Sequence, residues 1–337
     1  MKLLNYTSDN FWELLDEHLS LRQVETSSKI EDDVKLIIEN VKKFGDDKII
    51  EFAKEFDKIF IKKNEIKISN LKKLYSLDKL NKETLDSFKV AIKNIKKFHE
   101  KQIPENYEVI NMNSRLQSIW KPIDSVGLYI PGGKAVYPSS LIMSVIPAQI
   151  AGVKRIVVCT PSLNGKLNGA VYYAASILGI KECYSLGGAS AIMALATGTP
   201  KVKPVDKIVG PGSKWVALAK KKVFLEGLCG IEAANMGPSE ILCIADKSTD
   251  PEIIASSCIA QNEHSPDSMS ILLTKDKKLI NKVKLSIIEQ LKDLPRKKIS
   301  SISFKKNSMF IHVSNDKAII SIVNHIAPEH IEILTKN

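Results

Sequence analysis

Two short stretches contain side chains that could bind a metal ion or move a proton. The first is Ala260–Asp267, in which Gln261 and His264 lie three residues apart at the end of an apolar, helix-like segment. On a helix this spacing places both side chains on one face, so a carbonyl oxygen and an imidazole nitrogen could reach the same ion. The alternative is a capped helix end with a solvated histidine, because Ser265–Pro266 is typical of helix termination.

The second stretch is Ala327–His330, which ends another helical pattern and runs into the strand-like Ile331–Leu334. Glu329 and His330 place a carboxylate beside an imidazole in a loop. Such a pair is suited to general acid-base chemistry near neutral pH.

Three glycine-rich turns form a further set of candidate binding residues, Tyr129–Gly133, Leu186–Ala189 and Val209–Ser213. Each follows a strand pattern and precedes a helix pattern, a setting suited to a phosphate or pyrophosphate group. None is G-x-G-x-x-G, so the standard dinucleotide fingerprint is absent. A simple tight turn is the alternative interpretation.

The elements that must position these residues alternate between strand and helix. Helical patterns open the chain, and a long helix at Lys82–Glu100 precedes a hairpin within residues 107–120. From residue 125 to the end, strand-then-helix units repeat. This alternation predicts an α/β fold with two Rossmann-like parallel-sheet domains, helices on both faces and a helical N-terminal segment. Ligands in such folds collect at the carboxyl ends of the strands.

Composition excludes several classes of protein. The formal charge is +11, but lysines are spread at solvent-face spacing and aromatics are only 6%, so we expect no nucleic-acid partner. The apolar runs are too short to span a bilayer, and no signal-like segment opens the chain, so we expect a cytoplasmic protein without a membrane partner. Five cysteines without C-x-x-C pairs are interpreted as reduced core residues.

Five motifs in this order resemble the histidinol dehydrogenase family: Val126–Gly133, Lys207–Gly212, Gly237–Glu240, Gln261–His264 and Pro328–His330. The resemblance extends from the N-terminal helices to the last residue. It implies two successive NAD-dependent oxidations, of L-histidinol to L-histidinaldehyde and then to L-histidine. It also implies the last step of histidine biosynthesis, a homodimer and one zinc ion per subunit.

The resemblance implies roles for individual residues. Gln261 and His264 correspond to zinc ligands, and these two with Ser239 and His330 correspond to substrate contacts. Zinc holding the substrate's amino and imidazole nitrogens would fix the carbinol for attack. His330 would then act as general base, while Glu329 would activate the water that hydrates the aldehyde.

Tyr129, Ser190 and Ser213 correspond to the cofactor-binding positions. The family has a Gln and an Asn at the last two positions, and the serines lack amide groups that both donate and accept. This difference bears on the affinity for NAD. The segment Ile231–Met236 also lacks the family's usual Asp-Met-hydrophobic-Ala run.

We expect residues 1–22 to form a helical segment, residues 23–125 with 238–337 a first α/β domain carrying the metal and catalytic motifs, and residues 126–237 a second, NAD-binding domain.

Family members continue beyond the position of Asn337. The continuation supplies an aspartate zinc ligand, a glutamate and a ligating histidine. One hypothesis is that residues 1–337 are part of a longer, working histidinol dehydrogenase. The alternative is a truncated, catalytically inactive remnant, and a generic binding module is a third possibility. On either of the first two hypotheses, residues 1–337 alone are expected to bind Zn²⁺ weakly and to show no measurable histidinol oxidation.

Overall fold

The computed structural model describes residues 1–20, 28–56, 58–71, 80–132, 137–161, 169–232 and 239–336. The chain divides into two compact units. The first combines Met1–Glu25 with Met236–Asn337, and the second is Thr26–Asn235. Gly133, Gly237 and Pro238 of the quoted motifs, and Ala233–Met236 of the departing segment, lie outside the described residues.

The described strands are β1 (Lys2–Asn5), β2 (Tyr107–Asn111), β3 (Ser114–Ser118), β4 (Ser125–Tyr129), β5 (Arg155–Cys159), β6 (Glu182–Tyr184), β7 (Lys207–Val209), β8 (Gly230–Ile231), β9 (Glu240–Ala245), β10 (Met269–Thr274), β11 (Met309–His312) and β12 (His330–Leu334).

The described α-helices are α1 (Phe11–Ser20), α2 (Ser28–Phe44), α3 (Asp46–Phe56), α4 (Lys82–His99), α5 (Pro138–Ile150), α6 (Gly169–Ile177), α7 (Gly188–Thr197), α8 (Lys214–Leu225), α9 (Pro251–Asn262), α10 (Lys277–Gln290), α11 (Lys297–Lys306) and α12 (Asp316–Ile326).

Each unit is built on a five-stranded parallel sheet. The strand order is β1-β11-β10-β9-β12 in the first unit and β6-β5-β4-β7-β8 in the second. Strands β2 and β3 form a separate antiparallel hairpin. The predicted α/β fold with two parallel-sheet domains is confirmed.

The central strands of the first unit's sheet are buried on both faces. Along β9, Ile241 and Cys243 enter a core shared with α9, α10 and α11, whereas Leu242 enters a core shared with α1 and α12. Successive residues of a strand point to opposite faces, so a continuous apolar strand requires helices on both sides. This explains why β9 and β10 contain apolar residues without polar alternation.

In the sheet of the second unit, the direction in which successive strands are added reverses at β4. The chain runs from β4 to β5 and β6 at one edge, then returns to place β7 and β8 on the other side of β4. Val126 and Leu128 pack with α5 and α6, and the intervening Gly127 faces Leu195 of α7. The carboxyl ends of β4 and β7 therefore flank the topological switch point, where doubly wound sheets bind ligands.

The structure differs from the sequence-based prediction in two places. The N-terminal segment begins with a strand, because Lys2 pairs in parallel with Met309 of β11. Residues 28–125 belong to the second unit, whereas they were predicted to join residues 238–337. Ile68 N–H donates to Cys183 O, and helix α2 packs on α7 and α8, which explains this grouping.

No helix in the described ranges combines the length and hydropathy needed to cross a lipid bilayer. All five cysteines are buried and unpaired.

Candidate active site

The candidate catalytic residues of the first unit lie along the amino edge of its sheet. Ser239 precedes β9, the loop containing His264 leads into β10, and Glu329 precedes β12. Glu240 pairs with Met269, and Ile241 pairs with His330. The strands therefore begin at nearly the same level, and the three segments are neighbours on one edge.

Helix α9 delivers Gln261 and His264 to this edge. Its start is fixed by Asp250, whose side chain accepts from Glu252 N–H. The helix ends at Asn262, but His264 N–H donates to Gln261 O at 3.3 Å, so a helix-like turn continues. Gln261 is buried, whereas His264 is exposed. Among the described residues, the Gln261 Nε2 atom has no hydrogen-bond partner.

A buried polar cluster holds the loop that follows His264. Asn262 Nδ2 donates to Ser308 Oγ at 2.7 Å. Ser303 Oγ donates to Ser268 O at 2.7 Å, and at the surface Asn307 Nδ2 donates to Pro266 O at 2.8 Å. Buried hydrogen bonds of this kind fix loop geometry because breaking one leaves a desolvated group. The turn carrying His264 is therefore held in place by hydrogen bonds on both sides of it in the sequence.

Glu240 positions both members of the Glu329–His330 pair. Glu329 N–H donates to Glu240 Oε1 at 3.2 Å, and His330 Nδ1 lies 3.1 Å from Glu240 O. A carbonyl oxygen only accepts hydrogen bonds, so Nδ1 carries the proton in this contact. In the neutral imidazole, Nε2 is then the atom able to take up a proton. Both side chains, Glu329 and His330, are exposed.

Sequence reasoning assigned no role to Glu240. Glu240 is the last residue of the Gly237–Glu240 motif. Its position directly after Ser239, a predicted substrate contact, is the feature of the sequence that could have indicated a role. Ser239 itself is half-buried, and its carbonyl accepts from Met269 N–H at 3.2 Å. This bond ties the start of β9 to the start of β10.

The second unit carries the predicted cofactor residues at the carboxyl edge of its sheet. Tyr129 ends β4, is buried, and accepts from Gly188 N–H through its hydroxyl oxygen at 3.2 Å. Gly210 follows β7 with φ +120°, and a Cβ there would lie 2.0 Å from Tyr129 O. Only glycine fits so close to the neighbouring backbone.

The two predicted cofactor serines differ in their surroundings. Ser190 is buried on α7, and its hydroxyl donates to Gly187 O at 3.0 Å. Ser213 is the exposed N-cap of α8, and its side chain forms no capping hydrogen bond within the described part of the chain. Ser213 therefore offers a hydroxyl to a ligand at the helix N-terminus, whereas the Ser190 hydroxyl is engaged locally.

The predicted zinc ligands fit the metal by type. Catalytic zinc takes about three protein ligands, and an imidazole nitrogen and an amide oxygen are acceptable donors. The Gln261 atom that would bind zinc is the amide oxygen, whereas the atom without a hydrogen-bond partner in the described ranges is the amide nitrogen. Within those ranges, however, no group of three His, Cys, Asp or Glu residues could hold a metal ion. Gln261 and His264 therefore remain predicted zinc ligands.

Comparison with known proteins decides the family. The family model for histidinol dehydrogenase matches residues 20–337. The chain belongs to the histidinol dehydrogenase family. The histidinol dehydrogenases of Pelagibacter ubique (strain HTCC1062) and Listeria monocytogenes are 45% and 39% identical to it, and each match covers 100% of this chain and 77% of the relative.

A solved structure extends the similarity to the fold. The crystal structure of histidinol dehydrogenase from Elizabethkingia anophelis has 32% sequence identity and a TM-score of 0.91, covering 100% of this chain and 76% of that chain. The resemblance stated from the motifs is confirmed, and the chain is an NAD-linked oxidoreductase of this family. None of these comparisons favours the inactive-remnant hypothesis over the enzyme.

Proposed function

We propose that the chain catalyses two sequential NAD-dependent oxidations, of L-histidinol to L-histidinaldehyde and then to L-histidine, as the last step of histidine biosynthesis. The observation that carries this proposal is the His330 Nδ1 contact to Glu240 O. It directs the proton-accepting Nε2 atom away from β9, on the sheet edge that also carries Ser239 and the turn of Gln261.

His330 acts as general base in this proposal. It takes the proton of the alcohol while hydride leaves for the nicotinamide, and later a proton of the hydrated aldehyde. Glu329, which precedes it and whose N–H is held by Glu240, activates the water that hydrates the aldehyde. The exposed position of both side chains is compatible with proton exchange with solvent.

Gln261 and His264 hold a zinc ion in this proposal, and they contact substrate together with Ser239 and His330. Zinc bound there supplies a Lewis acid that orients the substrate's amino and imidazole nitrogens. Gln261 contributes a neutral oxygen and no charge, so further ligands are required for tight binding. The polar cluster beneath the loop keeps the two donors on one turn.

NAD binds at the carboxyl edge of the second unit's sheet in this proposal. Support comes from the switch point between β4 and β7 and from the glycine turns before α7 and α8. Helix N-termini attract the pyrophosphate. Tyr129, Ser190 and Ser213 line this edge, and Ser213 is the one of the two serines with an uncommitted hydroxyl in the described structure.

We also propose a homodimer formed through one face of the β2–β3 hairpin. Val109 lies opposite Leu116, and Tyr107 shares their face; all three are 48–64% exposed. Trp120 and Met112 extend the exposed apolar surface. The opposite face carries Glu108, Arg115 and Gln117 together with Ile110. Exposed apolar side chains clustered on one hairpin mark a candidate interface.

A second copy of the chain is the proposed occupant, in line with the homodimer that the family resemblance implies. Sedimentation velocity of the wild type should give a dimer, and Leu116→Arg should shift it toward monomer. Gln117→Arg, on the opposite face, is the matched control and should remain dimeric. A monomeric wild type, or equal dimerisation of both variants, would contradict the proposal.

The enzyme is proposed to work in the cytoplasm. All five thiols are reduced and buried, as in proteins of a reducing compartment.

The central test is the stoichiometry of the reaction. Incubation of the purified full-length protein with L-histidinol, NAD and Zn²⁺ should give L-histidine and two NADH per histidinol. Release of histidinaldehyde with one NADH would contradict the second oxidation. No NADH formation, with the zinc content confirmed by metal analysis, would contradict the proposed function.

A further inference from the structure

A buried ion pair lies beside the glycine turn that follows β7. Lys220 of α8 is 3% exposed, and its Nζ atom lies 2.5 Å from Glu232 Oε1. Glu232 directly follows β8. Burying an ammonium group is costly even when it is paired, and apolar residues of similar volume often stabilise a fold as well or better. The pair therefore calls for a role besides packing.

The pair holds both backbone polar groups of Gly210. Gly210 N–H donates to Glu232 Oε1 at 3.2 Å, and Lys220 Nζ donates to Gly210 O. The Glu232 carboxylate thus accepts from the Gly210 N–H, and the Lys220 ammonium donates to the Gly210 carbonyl oxygen. Charge-assisted hydrogen bonds are stronger than neutral ones. Gly210 is consequently fixed from two directions.

Fixing Gly210 also fixes the neighbouring turns. Gly210 lies against the Tyr129 backbone so closely that no Cβ fits, and Tyr129 accepts from Gly188 N–H. The ends of β4 and β7 and the start of α7 are therefore linked through one set of contacts. These are the segments that surround the switch point of the sheet.

We propose that Lys220 and Glu232 are positioning residues for NAD binding. They hold the Gly210 turn in its binding geometry through the Gly210 backbone and do not contact the cofactor. This inference depends on the proposed NAD site. Pre-organised loops bind more tightly because the free energy of ordering them is not subtracted from binding. Loss of the pair should therefore weaken NAD binding even where the protein stays folded.

The test is a fluorescence titration with NADH, which does not depend on turnover, combined with thermal unfolding. Glu232→Leu leaves the buried Lys220 charge unpaired, and Lys220→Met leaves the partly buried Glu232 charge unpaired, so each should lower Tm. The double variant has no unpaired charge, so its Tm should return toward the wild-type value. Its Kd for NADH should nevertheless be about 10-fold or more weaker than that of the wild type.

Two further variants complete the design. Lys222→Met removes a partly exposed lysine of the same helix, whose Nζ atom lies 3.8 Å from Glu226 Oε1, and should leave both Tm and Kd nearly unchanged. Glu232→Gln keeps an oxygen acceptor for Gly210 N–H, so it should bind NADH more tightly than Glu232→Leu.

The outcomes distinguish failure of the positioning role from failure of the proposed NAD site. Wild-type NADH affinity in a stable double variant would overturn the inference and leave the pair as a structural cross-link. Equal affinities of Glu232→Gln and Glu232→Leu would also overturn it. If the wild type itself failed to bind NADH, the proposed NAD site would fall, and the inference with it.

Discussion

Replacement of His330 by asparagine separates its chemical role from its structural one. The His330 Nδ1 atom donates to Glu240 O, and the side-chain amide nitrogen of asparagine occupies a similar position on a shorter chain. The variant should therefore keep the contact between β12 and β9. It removes the Nε2 atom, which is the proton acceptor in the proposed reaction. The substitution thus deletes one proton-transfer group with little change to the sheet edge.

The expected effect on turnover follows from the size of general-base catalysis. In the full-length protein, His330→Asn should lower kcat about 10²- to 10⁴-fold for both oxidations, because both transfer a proton at this position. Stability should change little, since His330 is exposed and lies on an edge strand. Surface substitutions away from buried contacts usually change stability by about 0.5 kcal/mol or less.

The assay measures NADH formation at saturating NAD with L-histidinol and, separately, with L-histidinaldehyde. Zinc content and the urea unfolding midpoint are measured on the same preparations. His99→Asn is the matched control, because His99 is a histidine at the end of α4 whose Nδ1 atom contacts Gln102 Oε1 in an exposed setting. Turnover of His330→Asn within a few-fold of the wild type would refute the assignment of His330 as base.

Three further predictions follow from the structure. Glu329→Gln should slow oxidation of histidinaldehyde more than oxidation of histidinol, measured with each substrate supplied separately. Hydrogen bonds from Arg155 lower the pKa of Glu182, so the pair stabilises the fold above the ordinary carboxyl pKa and loses that contribution as pH falls through the lowered pKa. Glu182→Gln should therefore cost about 1 kcal/mol in urea unfolding at pH 7, and this difference should shrink toward acid pH. Burial raises the pKa of the Cys183 thiol to about 12, and all five thiols are buried, so a thiol reagent at pH 8 should label the native protein far more slowly than the urea-unfolded protein.

Much of the fold could be predicted because the strands and helices carry their own periodic signals. Strand β9 is an apolar run bounded by turn residues, and α9 starts with Asp250–Pro251, a strong helix-start signal. Strand β1 could not be predicted in this way. Its four residues are too few to show a period, and its partner β11 begins at Met309, so only the three-dimensional pairing identifies it.

The candidate site was predictable in residue type but not in detail. The spacing of Gln261 and His264 indicated a shared turn, and the structure places them on one. The proton position on His330 depends on a contact with Glu240, which lies 90 residues earlier in the chain. No local pattern encodes that contact, because it arises from the pairing of β12 with β9. The same holds for the Lys220–Glu232 pair, whose members meet only after α8 packs on the sheet.

The candidate residues lie at opposite edges of the two sheets, and helix electrostatics favour the ligand proposed for each edge. In the second unit the glycine turns precede α7 and α8, so helix N-termini with unsatisfied N–H groups meet the ligand, which favours an anion such as a pyrophosphate. In the first unit, α9 ends at Asn262, beside Gln261 and His264. The C-terminal end of a helix carries partial negative charge and favours a cation, worth about 0.3 to 1 kcal/mol at an exposed site. A metal ion or an imidazolium is therefore better accommodated at this amino edge than at the carboxyl edge. The prediction that ligands collect at the carboxyl ends of strands is thus compatible with the proposed NAD site of the second unit. The candidate metal and proton-transfer residues of the first unit lie instead where helices end and strands begin.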